Sequence, residues 1–245
     1  MISQTGRVAG VDGCPGGWLV ALLQVHSGSC ALELCGTFAE ILSLPEVPAV
    51  IAVDMPIGLP ARAERGGRAC DVEARRRLGD RQSSVFSVPA RAAVMEIDYT
   101  LACATAFARS DPPRKVSKQC FHLFPKIREI DALMTPALQG RVFECHPELA
   151  FWAMNSGRPM SLPKKVKGRP GEPGLAERRA LLVRHGFAPD LFETRPWPRT
   201  RVGDDDMVDA CALAWSAARI LRGEAVRLPA DPPVDGRGLR MEINA

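Results

Sequence analysis

Aromatic side chains are scarce in this chain: Phe, Trp and Tyr make up 6% of it, with a single tyrosine. No apolar run approaches the roughly 20 residues that span a bilayer, so no membrane segment is expected. The opening MISQTGRVAGVD lacks a charged start followed by a long apolar stretch, so it does not read as a secretory signal, and a cytoplasmic location is expected. There is no C-x-x-C, and the four histidines do not pair with cysteines at ligand spacing, which argues against zinc. Charge of one sign is also slight. A formal net charge of +4 and a pI near 8.7 permit a polyanionic partner without demanding one.

What is present is ordinary globular material. Hydrophobic residues reach 46% and charged ones 24% of 245 residues. That length suits one domain, 1–245, and the 21 Pro and 21 Gly are spread rather than gathered into a low-complexity tract. Eight cysteines, mostly in apolar surroundings, read as free thiols in a reducing compartment.

The pattern of runs predicts an α/β fold. RVAGVD (7–12), WLVALLQV (18–25), CALELC (30–35) and AVIAVD (49–54) read as strands, with a helix over 37–44 before the last of them. The first three suit an antiparallel meander. The helix then crosses over, so that the fourth strand lies parallel to the first. Residues 61–140 form an Arg-rich, helical insert. RVFE (141–144) resumes a strand, and Pro147 opens a helix to Asn155. Residues 156–174 read as a mobile basic loop. A helix over 175–185 follows, and the clearest helix, Asp204–Arg222, stops at Gly223.

The acids stand out. Asp12 and Asp54 each end an apolar strand and precede a Gly/Pro loop, and ligands of α/β sheets collect beyond the carboxyl ends of strands. Each acid also fits a simpler role as acceptor for the turn that follows it. Glu144 ends a strand in the same way. In GDDDMVD (203–209), Asp204 is a natural N-cap and the helix dipole accounts for Asp205. Asp209 lies beyond the first turn, on one face with Asp205 or Asp206, and capping explains it least. Glu148 falls in a first turn and His146 beside a proline, and both read as structural. Carboxylates of this kind suit Mg²⁺ or Mn²⁺. Two such ions activate water and stabilise the leaving oxygen in phosphodiester cleavage.

Two basic groups are candidate phosphate contacts. Arg62, Arg65, Arg68, Arg75, Arg76, Arg77 and Arg81 are interleaved with acids and read as a solvated face. Lys164, Lys165, Lys167 and Arg169 have only Glu172 near them and are the better candidates for holding nucleic acid.

The motifs GVDGCPGGW (10–18), AVDMPIGLP (52–60), SSVFSVP (83–89), ECHPELAF (144–151) and DDDMVDACALAW (204–215) together resemble domain-of-unknown-function family 429, described as predicted nucleases of ribonuclease H-like fold. The resemblance spans nearly the whole chain. It implies a mixed sheet flanked by helices, with an acid on the first strand, one at the end of the fourth and one on a late helix. Asp12, Asp54 and Asp206 or Asp209 take those places. The late pair is similar to that of Holliday-junction resolvases, although such nucleases commonly carry Glu where this chain has Asp54. The expected activity is therefore metal-dependent hydrolysis of DNA or RNA, with Glu144 as extra ligand or base. Two other readings are a nucleotide-using enzyme of the actin or sugar-kinase kind, suggested by Gly10-Val11-Asp12-Gly13, and a binding module without catalysis.

Overall fold

The computed structural model describes residues 6–166, 169–194 and 196–245. Alternating and continuous apolar runs give β1 (Arg7–Cys14), β2 (Gly17–Gln24) and β3 (Cys30–Cys35), joined by tight turns. Thr37 caps the short α1 (Phe38–Leu42), its hydroxyl accepting from the Glu40 amide, and β4 (Val50–Val53) follows. The chain next leaves the sheet through β5 (Ala63–Glu64), α2 (Ala69–Leu78), a 3-10 turn over Gly79–Ser84, α3 (Arg91–Val94), α4 (Tyr99–Ala108), β6 (Ser110–Asp111) and α5 (Lys118–Leu133). It returns as β7 (Val142–Glu144) and α6 (Pro147–Met154). A small hairpin of β8 (Lys165–Val166) and β9 (Arg169–Pro170), then α7 (Glu172–Arg184), α8 (Asp204–Arg222), β10 (Arg227–Leu228) and β11 (Ile243–Asn244) complete it.

The result is a mixed α/β fold on a five-stranded sheet of order β3-β2-β1-β4-β7. The first three strands pair antiparallel, and β1, β4 and β7 run parallel. Both faces of the sheet are covered, as its near-continuous apolar strands require. Val11, Ile51 and Val53 face a core shared with Phe38, Phe124 and Ile127. Val8, Val50 and Ala52 face the other core, built largely on Ala210, Leu213, Ala214 and Ala217 of α8. Among the described residues, no helix is long and apolar enough to cross a membrane.

Gly10 sets how closely α8 approaches. A Cβ at this position would overlap the Ala214 amide nitrogen and the Ala210 carbonyl oxygen, so the helix backbone lies directly on β1. A side chain here would lift the helix that carries the late acids.

Within the helical insert, α5 holds 16 residues, with Pro125 two turns from its start. Two local expectations differ from the fold. The first part of the supposed basic loop is tied down: the Gly171 amide donates to the Lys164 carbonyl at 2.8 Å, and Gly174 packs against the Pro163 carbonyl. The N-cap of α8 is Gly203, not Asp204. Asp206 reaches back to accept the Gly203 amide at 2.7 Å, which is the N3 half of a capping box.

Candidate functional site

Register decides which acids meet. Val11 pairs with Val53 across the parallel strands β1 and β4. Asp12 and Asp54 are each one residue further on, so they lie level, and alternation turns both away from Val11 and Val53. That is the face covered by α8. Asp206 and Asp209 of α8 come to the same place, three residues apart and therefore on neighbouring positions of the helix surface.

Burial and mutual repulsion both act on this group. Asp12 and Asp209 are 7% and 5% exposed. Desolvation lifts the Asp12 carboxyl well above its usual range, and the charges of Asp209, Asp54 and Asp206 lift it further. Burial likewise raises Asp54 and Asp206. It pushes Asp209 up to about 7, against the pull of Lys164. Neither Asp12 nor Asp54 has a side-chain hydrogen bond among the described residues, and Asp209 Oδ1 is buried without a partner.

Two lysines answer these charges. Lys164 Nζ donates to Asp209 Oδ2, and Lys165 Nζ lies 2.9 Å from Asp205 Oδ2. Burial works against the Lys164 ammonium, but Asp209 and Asp12 outweigh it and raise its pKa. Asp205 and Asp206 both line the cleft and differ in the charges that act with them. Asp206 acts on Asp12, whereas Lys165 holds Asp205 below its ordinary range despite its burial. Lys167 and the side chain of Arg169 lie outside the described residues.

Glu144 lines the same cleft but is turned away from these four acids. It pairs with Val53 in the β4–β7 register, so it points to the opposite face from Asp54. Both its oxygens are taken. Arg68 binds them at 2.5 and 2.8 Å, and the Ile57 amide donates to Oε2 at 2.7 Å. Burial pushes Glu144 up to about 7, with Arg68 opposing. Arg68 also binds Asp71 at 2.8 Å, so this member of the Arg-rich segment is internal rather than solvated.

Glu148 has the reverse outcome. Its charge reaches both Asp54 and Asp209, but Arg178 holds its two oxygens at 2.9 and 2.8 Å. His146 is the N-cap of α6: Nδ1 accepts the Glu148 amide at 3.2 Å, and Nε2 lies 3.3 Å from the Ser84 carbonyl. That pattern assigns the neutral tautomer with its proton on Nε2. The glutamates that Arg178 and Arg68 hold carry no local sequence signal, because Glu148 and Glu144 lie 30 and 76 residues away from them.

The acids line a cleft of about 320 Å³ between α8, the β8–β9 hairpin and the insert. A separate cavity of about 190 Å³ beneath Phe86 and Ala106 gathers no comparable set of acids. Among the described residues, no group of three or more His, Cys, Asp or Glu side chains is arranged to hold a metal ion. The donor set nevertheless suits a hard divalent cation: it is all oxygen, and among the described residues it includes a buried oxygen with no partner and is met by lysine ammonium groups.

No curated protein and no solved structure matches this chain. A family model does, over residues 10–234, and it takes in Asp12, Asp54, Lys164 and the whole of α8. The chain belongs to the family described as "Protein of unknown function (DUF429)".

Proposed function

We propose that this chain is a metal-dependent nuclease of ribonuclease H-like fold, hydrolysing phosphodiester bonds of DNA or RNA at Asp12, Asp54, Asp206 and Asp209. One observation carries the reading: four carboxylates from β1, the end of β4 and α8 share one face of the sheet at its carboxyl edge, crowded enough that the other three raise the affinity of Asp12 for protons and Asp54 raises that of Asp209. A structural role alone does not account for Asp12 and Asp54, whose carboxylates sit among like charges with no side-chain hydrogen bond among the described residues, or for the unpartnered buried Oδ1 of Asp209.

Asp12, Asp54 and Asp209 would hold Mg²⁺ or Mn²⁺, with Asp206 contributing the oxygen not engaged by the Gly203 amide. Such ions supply a water nucleophile at neutral pH and stabilise the leaving oxygen. The residues of the chain do the rest. Asp12 and Asp54 fix the position of the charge from a rigid sheet. Lys164 leaves Asp209 when another cation arrives and is then free to face a phosphate. Lys165, half exposed at the rim, is placed to do the same. Glu144 and Glu148 hold the scaffold through Arg68 and Arg178.

The nucleotide-using alternative has less support. Actin-like and sugar-kinase enzymes use two copies of their fold, and the described residues hold one five-stranded sheet beside three two-stranded ones. The test is a metal-supplemented screen of single-stranded, duplex, hybrid and branched substrates. Cutting that needs Mg²⁺ or Mn²⁺ and disappears in Asp12→Asn supports the reading. ATP turnover without cutting of any nucleic acid overturns it.

A further inference from the structure

The cleft is divided chemically. Its floor is the carboxylate group. One rim carries the ammonium groups of Lys164 and Lys165. The insert contributes apolar lining to the same cleft: Phe86 and Leu123, both partly exposed and packed at their bases against the core, with Gln119 one helical turn from Leu123. Gln119 is exposed, and its amide makes no hydrogen bond among the described residues.

This layout is narrow for a duplex. A volume of about 320 Å³ falls at the lower end of the roughly 300–1,000 Å³ of small-ligand pockets. Asp12 and Asp209 at its floor are only 7% and 5% exposed, and the insert and hairpin flank them. Bases stacked in a duplex do not enter such a space, and enzymes with recessed sites take single strands or extruded nucleotides. Lysines and an aromatic side chain lining one cleft are also how unpaired strands are held, with cations on the phosphate and the ring on the base.

We propose that the cleft accepts one unpaired nucleotide unit, with its phosphate over the acids and lysines and its base against Phe86 and Leu123. This rests on the phosphodiester reading of the same site. The unit has two sources, an unpaired or terminal nucleotide of a strand and a free nucleotide.

The test is fluorescence anisotropy with Mn²⁺, using a labelled single strand of about 12 nucleotides, the same sequence as a blunt duplex, and a nucleoside monophosphate as competitor. The strand is expected to bind at least tenfold more tightly than the duplex. Phe86→Ala is expected to weaken strand binding about tenfold and to leave Mn²⁺ affinity unchanged. Gln119→Ala, on an exposed side chain, provides a second variant that does not threaten folding, and a severalfold loss is expected. Displacement by the monophosphate at or below the strand's own dissociation constant assigns the free nucleotide as the ligand, and weaker displacement assigns the strand. Equal or tighter duplex binding overturns the proposal, as does unchanged strand binding in both variants or no binding of any probe. Cleavage read in the same mixtures separates the two claims: a strand that binds selectively and stays intact retains this inference and removes the hydrolytic one.

Discussion

Lys164 occupies one oxygen of Asp209 and leaves the other, Oδ1, buried with no partner among the described residues. The ammonium therefore meets part of the need that the acid group creates. A lysine in this position competes with a metal ion for the same carboxylate. Lys164→Met is expected to tighten Mn²⁺ binding by about tenfold, equal to about 1.4 kcal/mol, measured by titration calorimetry. It should also lower the thermal midpoint in chelator, because Asp12 and Asp209 lose their nearest cation. Weaker metal binding in this variant would mean that Lys164 orders the site rather than competing for it.

Gly10 tests the approach of the late helix. Gly10→Val drives a side chain into the backbone of α8 at Ala210 and Ala214. Overpacking of this kind costs about 1–3 kcal/mol or more. Urea denaturation should show that loss, and metal binding should weaken with it, since Asp206 and Asp209 ride on α8. Full stability and unchanged metal binding would show that the helix has room to spare.

Arg68 and Glu144 separate scaffold from site. Arg68→Met leaves two buried carboxylates, Glu144 and Asp71, without their cation, which is expected to cost about 3–5 kcal/mol. Glu144→Gln keeps the shape, should destabilise less, and should leave Mn²⁺ affinity within about twofold, a difference under about 0.5 kcal/mol. A collapse of metal binding in Glu144→Gln at normal stability would restore Glu144 as a ligand.

The acid group also sets a pH dependence. Asp12, Asp54 and Asp206 are raised by burial, and Asp209 is raised to about 7. A raised value means that the folded chain holds protons the unfolded chain has lost, so stability falls as pH rises between about 4 and 7. Asp205, Glu177 and Asp235 are held low, and their stabilisation is lost only as pH drops below about 4. In chelator, the thermal midpoint should be higher at about pH 5.5 than at about pH 8. Mn²⁺ should recover more at the higher pH, where the ligands are ionised. A midpoint that rises steadily to pH 8 in chelator would contradict the crowding of these charges.

Much of the sheet was legible because its strands are uninterrupted apolar runs, and Asp12 and Asp54 were legible as the polar residues that end two of them. Asp209 stood out because it lies past the reach of capping. The insert was legible as helical, but its sequence did not mark the bounds of α5, which runs on through Pro125. The separation of Glu144 from the other acids needed the β4–β7 register, because a shift of one residue exchanges the faces of a strand. The Lys164–Asp209 pair spans 45 residues, and no local pattern announces it. The same holds for Arg68 with Glu144, 76 residues apart. An arginine amid other arginines reads as solvated until the carboxylate that buries it is known.

The central claim is that Asp12, Asp54 and the α8 acids form one divalent-cation site, and calorimetric titration of Mn²⁺ into the chelator-stripped protein at about pH 8 tests it most directly. The account predicts saturable binding that weakens at least tenfold in Asp12→Asn and in Asp209→Asn, with both variants folded. Absence of saturable binding to the unsubstituted protein, or equal affinity in both variants, would contradict it.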